Sequence, residues 1–357
     1  KKVVVGMSGG VDSSVAAYLL QKAGYEVIGV TMQIWPEDAP REESGGCCGL
    51  TAVDDARHVC QHLGIPHYTL NFRQEFDAHV ITYFLSEYRR GRTPNPCIAC
   101  NRYVKWGSLL AKALQIGADY IATGHYARIV FHRQTGRYLL KKAVTSKKDQ
   151  TYALYNLTQD QLAYTLLPLG DYTKEEVRRI AEEIGLNVAD KPDSQEICFI
   201  PDHDYGRYIE AHTASPSPPG NFVDRQGRIL GRHKGIIHYT VGQRKGLGLA
   251  AGKPLYVLEI RPETNEVVVG EEREVYQSTV YANHLNFIPF PELETKMTVS
   301  AKIRYNHVPA PAVVEMADET TLRCRFTEPQ RAITPGQALV LYDGDLVVGG
   351  GLIHHGA

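Results

Sequence analysis

The stretch "VVVGMSGGVDSSVAAYLL", residues 3–20, decides how the rest of the chain is read. A β-branched run stops at Gly6. A loop carrying Ser8, Gly9, Gly10, Asp12, Ser13 and Ser14 follows, and then Val15, Leu19 and Leu20 recur at helical spacing. Such a strand, glycine loop and helix start present backbone N–H groups and a positive helix end to an anion, which is how phosphates are held. The loop lacks the lysine of a Walker sequence and has an aspartate among its serines. A carboxylate beside a polyphosphate repels it unless a cation lies between them, so Asp12 reads as a residue on the Mg2+ side of a nucleotide. The plain alternative is a glycine-rich turn with Ser13 or Asp12 as the helix N-cap.

Outward from this loop, strand and helix alternate. Val11 to Lys22 reads as helix, Gly24 stops it, and Glu26 to Trp35 reads as the next strand. A helix over 53–63, a strand over 67–70, a long helix from about Gln74 to Tyr88 and another after Arg102 follow, then the run "ADYIATGHYARIV" (118–130). This succession implies a parallel sheet. Thr173 and Glu176 predict a capping box at the head of "TKEEVRRIAEEIG". Composition shifts at "HTASPSPPGN" (212–221), a linker or surface loop. Beyond it short alternating strands dominate, with Asp343-Gly344 placed as a hairpin turn. The expected class is α/β: a phosphate-loop domain with a parallel sheet over 1–204, a small central domain over 205–275, and a C-terminal β-barrel over 276–357.

Bulk properties exclude several classes. With 357 residues, 43% hydrophobic and 22% charged, the chain has the composition of globular domains rather than of disordered or fibrous sequences. No run approaches the ~18 apolar residues of a membrane helix, and the first residues are too short a run for a signal peptide, so the expected location is cytoplasmic. A net charge of −1 argues against a uniformly basic surface. Basic clusters at Arg89-Arg90-Gly91-Arg92, Lys141-Lys142 with Lys147-Lys148, Arg225 to Lys234 and Arg244-Lys245 fit either solvated faces or a polyanion touching more than one domain. Seven cysteines without a regular framework suit a reducing compartment. In "RTPNPCIACNR" (92–102), Cys97 and Cys100 form a Cys-x-x-Cys, but no second pair with zinc-ligand spacing follows. Cys60 and Cys324 read as packing residues. Cys47 and Cys48, in "ESGGCCGL", are incidental or assist sulfur chemistry.

"SGGVDSS" resembles the signature of the PP-loop family of N-type ATP pyrophosphatases, which cleave ATP between its α- and β-phosphates to adenylate a carbonyl oxygen. The motifs "GMSGGVDSSV", "GRTPNPCIACN", "GADYIATGHYAR", "KKDQTYALYNL", "DSQEICFIP" and "HYTVGQRKGLG", in that order over most of the chain, are together similar to the bacterial tRNA-specific 2-thiouridylase family. The resemblance implies ATP and Mg2+ at Gly6, Met7, Ser8, Gly9, Gly10, Val11, Asp12, Ser13, Met32 and Gly124. It implies tRNA contacts at His125, Lys148, Asp149, Gln150, Arg304, Tyr305 and Gln337. Read alone, Met32 suits a core, His125 an ordinary loop, and the polar residues a solvated surface. The resemblance also makes Cys198 the partner of the cysteine pair. Cys198 carries a persulfide delivered by a cysteine desulfurase or relay protein, and Cys100 releases sulfide or closes a disulfide with it, helped by the charges of Arg92 and Arg102. Alone, Cys198 before Phe199 and Ile200 reads as a buried small hydrophobe.

One position departs from the family pattern. Many members have Pro-Asn-Pro-Asp where this chain has Pro-Asn-Pro-Cys, which creates a third thiol. Cys97, Cys100 and Cys198 could then ligate three irons of a four-iron four-sulfur cluster whose fourth iron delivers sulfide, an alternative equal in weight to the persulfide. Two other functions compete. A PP-loop ligase acting on a small metabolite needs no cysteine pair, and a zinc-bearing RNA-binding module needs no ATP loop.

Overall fold

The computed structural model describes residues 1–35, 50–186, 197–200, 202–250 and 252–354. Cys47 and Cys48 lie outside them, as does most of "DSQEICFIP" before Ile197.

The N-terminal part is built on five parallel strands. They begin with β1 (Lys2–Gly6), β2 (Glu26–Gln33), β3 (His67–Asn71) and β4 (Tyr120–Ala122), and Thr165–Leu166 joins beyond β4. β1 lies between β2 and β4, in register Val3↔Val27 and Val3↔Tyr120. Its continuous Val3-Val4-Val5 run is buried on both faces, as a central parallel strand requires. Helices α1 (Val11–Lys22) and α2 (Leu50–Leu63) connect the first three strands. Gly24 has φ +85°, the left-handed stop expected after α1. Helical residues 73–89 and 96–115 cover the opposite face. The second of these begins at Pro96, well before Arg102. Asn95 Oδ1 accepts the N–H of Cys97 (3.1 Å) and Ile98 (3.3 Å), so Asn95 caps the helix and Pro96 occupies its first position. Cys97 and Cys100 therefore sit in its first turns, with π-type hydrogen bonding from Cys100 to Leu109.

The run 118–130 also divides differently. After β4 the chain leaves the parallel sheet and forms the hairpin Ala127–His132 with Arg137–Lys142. This hairpin joins the C-terminal sheet through Leu346↔Lys141, and Asp345 accepts from Arg128 (3.1 Å).

The C-terminal part is a closed barrel of six antiparallel strands. Tyr276–Phe287 pairs with Leu322–Arg331 on one side and Leu346–His354 on the other, and Ala310–Met316, Met297–Lys302 and Ala338–Asp343 complete the ring. Its last two strands are joined by the expected tight turn at Gly344 and Asp345. Between barrel and parallel sheet stands a four-stranded sheet in the order Tyr256–Arg261, Glu266–Gly270, Gly220–Val223, Ile229–His233. One buried cluster spans all three parts, from Val4 and Phe76 through Tyr152 and Tyr155 to Phe222, Val257, Val340 and Tyr342. The Tyr152 hydroxyl donates to the Ala338 carbonyl (2.8 Å), so the interface is packed like an interior. No described helix is long and apolar enough to cross a membrane.

Candidate active site

The strand order reverses between β1 and β4, which opens a crevice at their carboxyl ends where α/β sheets bind ligands. The glycine loop lines one side of it. Gly10 is the N-cap of α1, and no side chain caps the helix. The plain alternative, Ser13 or Asp12 as cap, is thereby corrected, because both lie inside the helix. Ser13 instead braces the loop. Its Oγ accepts from the Ser8 N–H (3.1 Å) and donates to the Gly10 carbonyl (3.2 Å), while Ser14 Oγ donates to the same carbonyl (2.8 Å). Gly9 has φ +70°, and a Cβ there would come 2.5 Å from the Ala52 carbonyl oxygen. Met7 and Val11 turn into the core, and the Met7 N–H donates to Val30 (2.8 Å). Gly124, just past β4, lies so close to α1 that a Cβ would come 2.7 Å from the Ser13 nitrogen. Met32 packs in the core. Pairing between β1 and β2 ends at Gly6↔Val30, and Met32 pairs only with Leu70 of β3.

Asp12 is held by groups that sequence reading missed. Its Oδ1 accepts from the Tyr126 hydroxyl (2.7 Å) and from Lys174 Nζ (2.7 Å). Lys174 opens the helix Lys174–Glu183, whose capping box between Thr173 and Glu176 is present as expected. The capping box could predict the helix start but not the carboxylate, 162 residues away, that its first residue meets.

The cysteine loop is where the three parts meet. The Thr93 N–H donates to the Pro335 carbonyl (2.9 Å), and Gln337 Nε2 donates to the Thr93 carbonyl (2.8 Å), both across the barrel interface. Thr93 Oγ1 reaches Thr240 Oγ1 (3.2 Å) of the central part. Gly336, with φ +90°, lets the barrel backbone come this near, since a Cβ would sit 3.0 Å from Thr93 backbone atoms. The Arg92 guanidinium donates to the carboxylate of Glu87 (2.5 Å), which is 4% exposed and needs a counter-charge. Arg102 lies over the Tyr103 ring at 5.3 Å.

Cys97 is exposed, and Cys100 and Cys198 are half-buried. Cys100 and Cys198 pack against the same cluster of buried side chains. Phe199 anchors the Cys198 segment edge-on against Phe76 (5.7 Å) and Phe84 (5.4 Å), so the apolar neighbours are the anchor and the thiol is not deeply buried. Cys198 lies beside Tyr208, whose hydroxyl is pushed up to about 12 by burial and then by the charges of Asp77 and Cys198. The helix bearing Cys100 also packs on the helical residues 77–81. The Tyr305 hydroxyl is raised by burial and then by the charges of Asp149 and Cys97, which puts Cys97 within electrostatic reach of that ring. Among the described residues no three His, Cys, Asp or Glu side chains form a metal-ligand group. Cys97, Cys100 and Cys198 as placed do not fit an iron–sulfur cluster. Cys60 and Cys324 are fully buried, and burial pushes both thiols up to about 12, as packing residues behave.

The expected RNA-contact residues fall on two neighbouring surfaces. Asp149 accepts from the Ala143 N–H (3.0 Å) and the Thr151 hydroxyl (2.6 Å), and Gln150 accepts from the Tyr126 N–H (2.9 Å), so these side chains shape the 143–151 loop that presents the half-buried Lys148. Across from it, Tyr305 is 41% exposed with Lys302 over its ring at 5.7 Å, and Arg304 donates to the Arg331 carbonyl (3.0 Å). Gln337 is spent on Thr93, as described above. His125 bonds Thr123 Oγ1 (2.7 Å) and lies 5.5 Å from the Trp106 ring.

Burial, then the charge of Lys105, holds the His125 imidazole well below its usual range; burial likewise lowers His67, His233 and His307. These groups are harder to protonate when folded than when unfolded, where they bind protons near 6.5. Their contribution is present above 6.5 and is lost as pH falls below it. The thermal unfolding midpoint is expected to drop between pH 7 and pH 5, with a smaller drop in His125→Gln.

Family models match all three parts: a "tRNA methyl transferase HUP domain" over residues 1–202, a "tRNA methyl transferase PRC-barrel domain" over 207–271 and an "Aminomethyltransferase beta-barrel domain" over 277–353. Among curated proteins, the tRNA-specific 2-thiouridylase MnmA of Lachnoclostridium phytofermentans is 64% identical over 99% of both chains. Those of Acetivibrio thermocellus and Clostridioides difficile are 61% and 57% identical over 99% of this chain and 99% and 98% of theirs. Full-length identity at this level, over a fold that carries every motif in order, places the chain in the tRNA-specific 2-thiouridylase MnmA family.

Proposed function

We propose that the chain is a cytoplasmic, ATP-dependent tRNA 2-thiouridylase acting on the wobble uridine of the lysine, glutamate and glutamine tRNAs. One observation carries the reading: a single helix links the nucleotide crevice to the thiols. Residues 96–115 begin with Cys97 and Cys100 and pass His125, the neighbour of Gly124, at Trp106. Six residues of helix place Cys100 roughly 9 Å from that point, a span that a nucleoside between crevice and thiol can bridge.

In the proposed reaction, the uracil 2-oxygen attacks the α-phosphorus of ATP, and pyrophosphate leaves. Mg2+, when bound, would supply charge neutralisation for the polyphosphate, and Asp12 is the residue to hold it, since the hydrogen bonds from Tyr126 and Lys174 both go to its Oδ1. The loop serines and the uncapped start of α1 hold the phosphates by backbone N–H groups. A persulfide on Cys198, loaded by a sulfur donor protein, then takes one of two routes. In the first, its terminal sulfur displaces AMP from C2, and the Cys100 thiolate attacks the Cys198 sulfur, leaving sulfur on the base. In the second, Cys100 attacks first and the freed sulfide displaces AMP. Either way two thiols become a disulfide, the transferred sulfur is reduced by two electrons, and a thiol reductant resets the pair. The positive end of the cysteine helix favours the attacking thiolate.

Methyl transfer, the activity in the descriptions of the matching families, does not need the paired thiols. The test is incubation with MgATP, unmodified tRNA and a persulfide donor. Thiouridine by nucleoside mass spectrometry with matching pyrophosphate release is expected; methyluridine, or pyrophosphate release independent of tRNA, overturns the reading.

A further inference from the structure

We propose that His79, Tyr103 and Arg102 form a stacking site for the unpaired nucleobase next to the target uridine, a contact that deepens the tRNA reading above and rests on it. His79 stacks on the Tyr103 ring with centroids 5.0 Å apart and planes 19° apart, and the Arg102 guanidinium lies over the same ring at 5.3 Å. All three side chains are exposed, Tyr103 by 41%. A tyrosine this exposed contributes little burial to the fold. Flat groups stacked on one another at a surface are what single-stranded RNA bases settle on, and imidazole, phenol and guanidinium each present such a face. Arg102 adds a positive charge for the adjoining phosphate.

Position assigns the ligand. Tyr103 follows Cys100 by three residues in the helical stretch Cys100–Leu109, and His79 stands on the helical residues Asp77–Ile81 that pack against it. Phe76, just before that segment, meets Phe199 edge-on at 5.7 Å, next in sequence to Cys198. The stack therefore belongs to the elements that carry and anchor the two thiols. Tyr305 has the same make-up: it is 41% exposed, has Lys302 over its ring at 5.7 Å, and lies within electrostatic reach of Cys97. A target base must leave the stack of its loop to reach the crevice. Its neighbour then loses a stacking partner, and an aromatic face beside the thiols replaces it.

The experiment measures affinity for a synthetic anticodon stem-loop RNA with uridine at the target position, and for the same RNA with either neighbouring base removed. The proteins are wild type, Tyr103→Ala, Tyr103→Phe and His79→Ala. On intact RNA, Tyr103→Ala is expected to lose about tenfold and His79→Ala less, with Tyr103→Phe within about twofold of wild type. Removing one of the two neighbouring bases should weaken wild type by a similar factor and leave Tyr103→Ala unaffected, a coupling that a structural role for the ring would not produce. Should Tyr103→Ala be unstable, Tyr103→Leu supplies the same comparison. Equal losses on intact RNA and on both base-deleted RNAs, or no loss at all, overturn the proposal. Unchanged RNA affinity in Tyr103→Ala, with thiouridine formation lost when a cysteine desulfurase and cysteine supply sulfur but kept with sodium sulfide, would assign the patch to the donor protein and overturn it too. Wild-type protein that binds none of the RNAs overturns the tRNA reading itself.

Discussion

Cys198→Ser and Cys100→Ser are each expected to lose thiouridine formation by on the order of a thousandfold or more, while tRNA-stimulated pyrophosphate release continues. In the proposed reaction adenylation draws on the Gly6–Ser13 loop and Gly124, and neither cysteine contributes to the Ser8, Ser13, Ser14 and Gly10 hydrogen bonds that shape that loop. Serine keeps the size of the side chain but carries no persulfide and cannot close a disulfide. Both thiols are half-buried at the edge of the same core, so the substitutions leave packing nearly intact. A normal thiouridine yield from either variant sinks the two-thiol scheme. Cys97 supplies the control. It is exposed, lies in a turn whose cap is Asn95, and is within electrostatic reach of Tyr305. Cys97→Asp is expected to thiolate and to be free of iron when purified without oxygen. Brown wild-type protein that loses both iron and activity in this variant would restore the cluster mechanism.

Local chemistry was legible and long-range pairing was not. The buried Val3–Val5 run, the glycine loop, Gly24, the Thr173–Glu176 capping box and the turn after Asp343 are each settled by neighbours within a few residues, where backbone preference and hydrogen bonding act directly. The start of the cysteine helix was misplaced because Pro96 fits a helix start as readily as a loop. Asn95, the residue that decides between them, was not read as a cap. The hairpin after β4 was read as part of one strand-bearing run because nothing local says that Lys141 will pair with Leu346. Charges were legible as types but not as partners. Arg92 is spent on Glu87 and Lys141 on Asp345, whereas Lys174, unremarked in sequence, reaches the nucleotide loop. Fixing Thr93 against Pro335, Gln337 and Thr240 requires three separate segments to fold first.

Asp12→Asn separates structural from chemical use of the residue most firmly assigned from sequence. The amide keeps an oxygen for the Tyr126 hydroxyl but removes the Asp12 carboxylate from its ion pair with Lys174. Breaking a fully buried ion pair costs about 3–5 kcal/mol. The Asp12 side chain is 32% exposed, so about 2 kcal/mol is the expected loss of stability here, visible as a lower denaturation midpoint. The chemical loss is larger. Without the carboxylate the divalent cation loses its protein ligand, and pyrophosphate release is expected to fall on the order of a hundredfold or more at saturating MgATP. Affinity for tRNA should hold, because the groups bonded to Asp12 are Tyr126 and Lys174 and neither Lys148 nor Tyr305 is among them. Tyr126→Phe is the matching control: it removes one hydrogen bond to the same oxygen, about 1 kcal/mol, with no change of charge. Its pyrophosphate release should stay within a few-fold of wild type. Equal turnover by Asp12→Asn and Tyr126→Phe, with the stability difference intact, would reduce Asp12 to the anchor of Lys174 and remove it from phosphate chemistry.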